Sequence, residues 1–276
     1  MTTPLTIEPR NLHFGLGEKA PRYWHGEGPA VTHFYNALSL TFPAGERFFM
    51  DSVKHYRDRI TDPKLQADIK AFLTQEAIHS REHAEMNRGL TDHGYPVEEI
   101  EADEAADLDF VRNATGHKRQ LAVTCALEHF TAILANRVLQ DPRYLAEANP
   151  AFRRLWRWHA LEESEHKAVA FDVYQSITGG KGYRLRCWIM VLVTIRVTMK
   201  INGYIARLMK HDGLGREQKA WKPLRRHLFG RRGLLLSCLG AYLSYFRPGF
   251  HPWDHDNAKL VDAVRAEFAE TEAQPA

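Results

Sequence analysis

The 276 residues predict an all-α protein, a four-helix bundle with additional C-terminal helices. Two observations carry this reading. Apolar residues recur at helical spacing through runs of about 25–30 residues, as in Leu38, Phe42, Phe49 and Val53, while period-two stretches are nearly absent. Breaks stand at Thr61-Asp62-Pro63, His93-Gly94-Tyr95-Pro96, Asp141-Pro142, Asn149-Pro150 and Thr178-Gly179-Gly180. A composition of 44% hydrophobic residues fills a sizeable core, which excludes a collagen-like, low-complexity or wholly disordered chain. With 26% charged residues and a net charge of +3, the totals fit neither an acidic solvating protein nor a uniformly basic nucleic-acid coat.

Residues 1–30 carry Pro4, Pro9, Pro21 and Pro29 with Gly15, Gly17, Gly26 and Gly28, too much punctuation for a regular element, and read as an extended N-terminal arm. Residues 31–180 hold four helices at roughly 32–60, 63–92, 116–140 and 150–178. Asp62 is placed to cap the second helix with Pro63 at its first position, and Asn149 with Pro150 repeats the device. Residues 94–115 join the two halves. They carry seven acidic residues from Glu98 to Asp109 with no Lys or Arg before Arg112, and read as a solvated crossover. Residues 181–276 read as a basic and apolar helical extension packed on the bundle.

The chemistry lies in polar residues that fall on apolar stripes: Glu46 on the first helix, Glu76 and His79 on the second, Glu128 on the third, Glu163 and His166 on the fourth. A Glu and a His three residues apart project from one helix face, so each pair can reach one ion. With 15 His in the chain one accidental ExxH is expected, but here the order E, ExxH occurs twice, with 30 and 35 residues from the lone Glu to the paired one. This is the ligand order of ferritin-like di-metal carboxylate bundles. Four buried carboxylates would be intolerable unless compensated, and two divalent cations neutralise them. Mixed carboxylate and imidazole donors suit iron first and manganese second. By analogy with that class Glu76 and Glu163 bridge, while Glu46, His79, Glu128 and His166 are terminal.

Glu162 competes with Glu163, but the matched ExxH spacing favours the latter. His83 and His159, one turn from the motifs, are candidates for outer hydrogen-bond partners or proton carriers. For Arg81, His129, Glu165 and Asp172 a surface or helix-pairing role is expected.

The segments FPAGERFF, QEAIHSREH, ALEHFTA, WHALEESEHKAVAFDVY and RPGFHPWD resemble a bacterial family usually labelled predicted metal-dependent hydrolases, over about Leu12 to Asp256. The resemblance implies a metal-binding helical enzyme of ferritin-like type. A site deep between apolar helices leads to the expectation of O2-dependent oxidation of a hydrophobic or amphiphilic substrate. Two-metal hydrolysis, as the family label has it, is the alternative. A metal store or non-catalytic scaffold is a third reading, against which the extra hundred or so residues beyond the bundle argue.

Residues 181–232 hold 14 Lys or Arg against Asp212 and Glu217, a local net charge of +12. Apolar patches at 188–195 and 234–246 accompany them, each shorter than the roughly 18 residues of a spanning helix. Residues 181–246 therefore suit peripheral membrane contact or an anionic amphiphile, or else two added helices packed on the bundle. Nucleic acid is not expected, and a homodimer stays open. In RPGFHPWDHD, His251 or Asp254 could approach substrate, but Phe250 and Trp253 as tail anchors is the preferred reading. Cys125, Cys187 and Cys238 show no paired spacing, and no secretory signal is visible, so a cytoplasmic location is expected, with contact at the inner membrane face left open by residues 181–246.

Overall fold

The structure, a computed structural model, describes residues 5–17 and 20–273, with side chains to residue 270. Among these the chain is helical without strands; one isolated bridge joins His25 and Ala148. The helices are α1 (Pro29–Lys54), α2 (Pro63–Asp92), α3 (Val97–Ala114), α4 (His117–Gln140), α5 (Pro150–His166), α6 (Val169–Thr178), α7 (Tyr183–His211), α8 (Gln218–Phe229), α9 (Leu234–Ser244) and α10 (Ala258–Ala273).

Capping chemistry sets several of these boundaries. The Asp62 carboxylate accepts from the Lys64 N–H at 2.9 Å ahead of Pro63, and Asn149 accepts from Ala151 N–H at 3.0 Å ahead of Pro150. Gly179, at φ 55° and ψ 37°, ends α6 in the left-handed conformation that glycine adopts without strain. Pro43 lies inside α1 and has no N–H to give to the Ser39 carbonyl one turn earlier. The Asn87 side-chain amide of α2 donates to that carbonyl at 3.2 Å.

Three expectations are corrected. The first helix ends at Lys54 rather than near 60, followed by a 3-10 turn at Arg57–Arg59. The crossover is an 18-residue helix, α3, and not a loop. Its acidic side chains meet the basic ones of α7: Asp107 pairs with Arg196, and Lys200 Nζ lies 3.2 Å from both Glu104 and Asp107. The segment 150–178 is divided at Lys167–Ala168, where the buried Lys167 ammonium is drawn onto the His255 carbonyl at 2.8 Å and Asn257 Oδ1 at 2.7 Å.

α1 pairs most closely with α2, and α4 with α5, giving two helix hairpins that face one another; α7 lies against α1 and α4, α9 against α4, α10 against α5. The core falls into two apolar clusters stacked along the bundle. One gathers Tyr35 and Leu40 of α1, Met86 of α2, Leu139 of α4 and Trp158 of α5. The other gathers Phe48 of α1, Phe72 of α2, Leu121 of α4 and Phe171 of α6. On α1, α2 and α4, and between α5 and α6, the change from one cluster to the other occurs where Glu46, Glu76 and His79, Glu128, and Glu163 and His166 stand.

The described residues ahead of α1 form no α-helix and lie against α2 and α5. This arm is tied down where Arg10 N–H donates to Glu162 at 2.9 Å, Phe14 N–H donates to Glu82 at 2.9 Å, and Trp24 stacks on Phe152 at 4.6 Å.

Candidate metal centre

Glu46, Glu76, His79, Glu128, Glu163 and His166 come together between the two apolar clusters, each at most 2% exposed. Their donor atoms, with those of His83 and His159, form overlapping groups within 4.8 Å: Glu46–Glu76–His79, Glu76–Glu128–His166, His79–His159–Glu163 and Glu46–His83–His159. Glu76 belongs to the groups of both lone glutamates. Glu163 is equally central, its oxygens 3.7 Å from His79 Nδ1, 3.5 Å from His166 Nε2 and 3.2 Å from His159 Nε2.

The decisive feature is the absence of partners. Among the described residues, both carboxylate oxygens of Glu46, Glu76 and Glu128, Glu163 Oε2, His79 Nδ1, His159 Nε2 and His166 Nε2 are buried without a hydrogen bond. Buried polar atoms are almost always paired, because an unmet one costs about 1–3 kcal/mol and more if charged. The chain itself offers these carboxylates only imidazoles, His166 Nε2 at 3.1 Å from Glu76 and His159 Nε2 at 3.2 Å from Glu163, which cannot balance four converging acids, so the arrangement fits a cationic occupant.

The two motif histidines are held from behind with a near two-fold relation. His79 donates from Nε2 to Glu162 Oε2 at 3.1 Å, leaving Nδ1 bare toward the centre. His166 donates from Nδ1 to Gln75 Oε1 at 2.9 Å, leaving Nε2 bare. Each supporting residue immediately precedes the glutamate of the other motif: Gln75 before Glu76, Glu162 before Glu163. Glu162 thus stands behind His79, and Glu163 faces the cluster. A carboxylate behind one imidazole and an amide behind the other make the two halves electronically unequal.

The support continues outward. The Arg10 guanidinium bonds Glu165 at 2.8 Å and reaches Glu162 at 3.4 Å, Arg265 bonds Glu165 at 2.7 Å, and Gln75 donates to Glu165 at 2.9 Å. Arg10 and Gln75 were not singled out from the sequence; the residue before each ExxH was the signal that could have found Gln75. Arg10 sits on the arm and could not be placed before folding.

Burial, followed by the neighbouring carboxylates, drives the Glu46 and Glu128 carboxyls well above the ordinary carboxylate range. Burial also raises Glu163, but His166 and His159 outweigh it and hold it ionised; His166 is raised correspondingly by Glu163 and Glu76 against its own burial. Burial pushes Glu162 up to about 8, with Arg10 opposing.

His83 and His159 occupy different roles from one another. His159 Nδ1 is 2.9 Å from His83 Nε2, and His83 Nδ1 is 2.9 Å from Ser39 Oγ, so His83 is fully partnered while His159 keeps Nε2 open toward Glu163. The half-buried Phe42 ring stacks on His159 at 4.8 Å and meets His83 edge-on at 4.7 Å.

The remaining sequence candidates lie elsewhere. His251 Nε2 bonds Asp172 at 2.8 Å and Asp254 bonds Arg247 at 2.6 Å, outside the cluster; Phe250 and Trp253 are buried anchors. His129 bonds the Ala241 carbonyl at 3.1 Å, a helix-pairing contact, and burial pushes its imidazole down to about 3. Arg81 bonds Glu82 and the Leu12 carbonyl, and Glu165 is wholly buried in the Arg10 network rather than on the surface.

A family model described as predicted metal-dependent hydrolase matches residues 8–256. The chain belongs to this family. Neither a curated protein nor a solved structure matches it. The predicted metal-dependent hydrolase family and the partnerless donor cluster point the same way: a metal-dependent protein whose buried Glu and His groups can hold metal.

Proposed function

We propose that the protein is a two-metal hydrolase. Glu46 and His79 would be terminal ligands of one cation, Glu128 and His166 of the other, with Glu76 and Glu163 shared. The convergence of partnerless donor atoms between the apolar clusters carries this reading, and the family description favours hydrolysis over the oxidation expected from the sequence. The donor set of four carboxylates and two imidazoles fits iron or manganese.

Bound cations supply Lewis acidity and a water acidified toward neutral pH. The chain's own groups do the rest. Glu162 and Gln75 fix the orientation of His79 and His166. His159 Nε2, bare and aimed at Glu163, accepts a proton from the attacking water, and His83 and Ser39 behind it fix the ring in that orientation. Phe42, the half-buried ring over both histidines, would shield them from solvent.

Enclosure favours a second reading, O2-dependent oxidation, because each of the eight Glu and His residues is at most 4% exposed. Elemental analysis of protein purified from its own host, followed by ester and amide hydrolysis assays and oxygen-uptake measurements, separates the two. The expected result is about two ions per chain and a hydrolytic activity abolished by chelation. Oxygen uptake by the reduced protein without hydrolysis would overturn the main reading, and absence of bound metal would overturn both.

A further inference from the structure

The face of α7 turned away from the bundle carries Trp188, Leu192, Ile195 and Met199 on one helical stripe, 63, 46, 55 and 63% exposed. α9 presents Leu239 and Leu243 in the same manner, 49 and 54% exposed. The two helices are neighbours: Thr194 Oγ1 is 2.9 Å from the Tyr242 hydroxyl, Tyr183 donates to the Phe246 carbonyl at 2.6 Å, and both helices pack on α4. Their inward side chains, among them Met190, Val193 and Cys238, already fill the core, so the outer stripe does not hold the extension in place. By length and composition alone α7 is long enough to cross a membrane, more than the sequence reading allowed, yet only 28% of its most apolar stretch is buried in the protein. Contiguous exposed apolar surface marks a contact with something.

Charge identifies what that is. Arg196, Lys200 and Arg207 are neutralised by the acidic side chains of α3. Lys181 and Arg184 at the start of α7, and Arg225, Arg231 and Arg232 around the start of α9, are exposed and have no acidic partner among the described residues. They stand at both ends of the apolar stripe, since the start of α7 lies against the end of α9. At the α8–α9 junction a cavity of about 420 Å³ is lined by Arg143, Arg226, Arg231 and Arg232, with Glu27 its carboxylate.

We propose that this face docks the protein on an anionic lipid bilayer. The Trp and Leu side chains enter the boundary between headgroups and acyl chains, and the flanking arginines and lysines meet lipid phosphates. A second copy of the chain fits worse, because its own uncompensated arginines would face these. The inference is independent of the metal centre.

The test is flotation of the full, metal-loaded chain with vesicles of phosphatidylcholine alone and of phosphatidylcholine with phosphatidylglycerol in equal parts. Binding is expected to the anionic vesicles only, weakening as salt is raised. The doubly substituted R231Q/R232Q protein is expected to bind about 30-fold more weakly, the loss corresponding to two basic side chains at an anionic surface. I195D/L239D is expected to abolish binding with metal content and helicity unchanged, and Trp188→Phe to remove a fluorescence blue shift seen on adding vesicles. All of these positions are on the surface, so the variants fold. Absence of binding, equal binding to both vesicles at all salt concentrations, extraction only by detergent, or a dimer that I195D converts to monomer would each overturn the proposal.

Discussion

Glutamine at position 128 should change stability with opposite sign depending on whether cations are bound. Glu128 is 2% exposed, neither of its oxygens has a hydrogen-bond donor, and the nearest basic group, His166 Nε2, is 3.7 Å away. Without cations, the chain above neutral pH must hold that charge uncompensated or take up a proton against the solution. Glu128→Gln keeps the shape and removes the charge. The metal-free variant is therefore expected to be more stable by about 1–3 kcal/mol, the order of the penalty for a buried polar group left without a partner. For a chain of this size that raises Tm by roughly 2–10 °C. With cations the same substitution removes a terminal ligand, and affinity for one ion should fall more than about 100-fold, beyond the 10–100-fold typical of outer-shell changes. By linkage that withdraws about 2.7 kcal/mol of ligand-derived stability. Calorimetry with chelator and with added manganese, alongside elemental analysis, measures both arms. A variant that is less stable without metal and binds as much metal as the parent would refute the reasoning.

Glu162→Ala should weaken the ion on the His79 side and Gln75→Ala the ion on the His166 side, each about 10–100-fold, so metal titrations should show one weakened site in either variant. Loss of both sites together would mean that the two supports are not independent. In the metal-free protein the raised Glu46 and Glu128 should contribute stability that is lost as pH rises above the ordinary carboxylate range near 4.3, because folded they bind protons that the unfolded chain has released, whereas the lowered His79 and His83 contribute the opposite way up to about pH 6.5. The raised His166 adds to that decline above about pH 6.5, while the lowered Glu163 acts on the acid side, its stability lost as pH falls below about 4. Cations should flatten the profile, and thermal melts from pH 5 to 8 with and without chelator would show a common slope if they do not. Trp24→Ala should cost about 3–5 kcal/mol, since the ring is buried, stacks on Phe152 and donates to Asn36 at 2.9 Å. A Tm shift of only a degree or two would show that the arm contributes little to the fold.

Local chemistry made much of the protein legible in its sequence. Periodicity and the Asp62-Pro63 and Asn149-Pro150 starts place four of the helices, and the doubled E, ExxH order names six residues that the fold brings together, because i, i+3 spacing is a property of the helix itself. The same local rules hid α3, whose acidic side chains look like solvated loop until the cations of α7 lie opposite them. They also hid the break at Lys167, which is drawn out of register by groups 88 and 90 residues away.

Which groups stand behind the donors was decided by tertiary structure alone. Arg10 reaches Glu162 across 152 residues of sequence, and His79 turns Nε2 to Glu162 and Nδ1 toward Glu163 because of how α2 and α5 face each other. A helix determines which side chains share its face, whereas the partner of a buried charge is chosen by whatever the packed chain brings within about 3 Å of it.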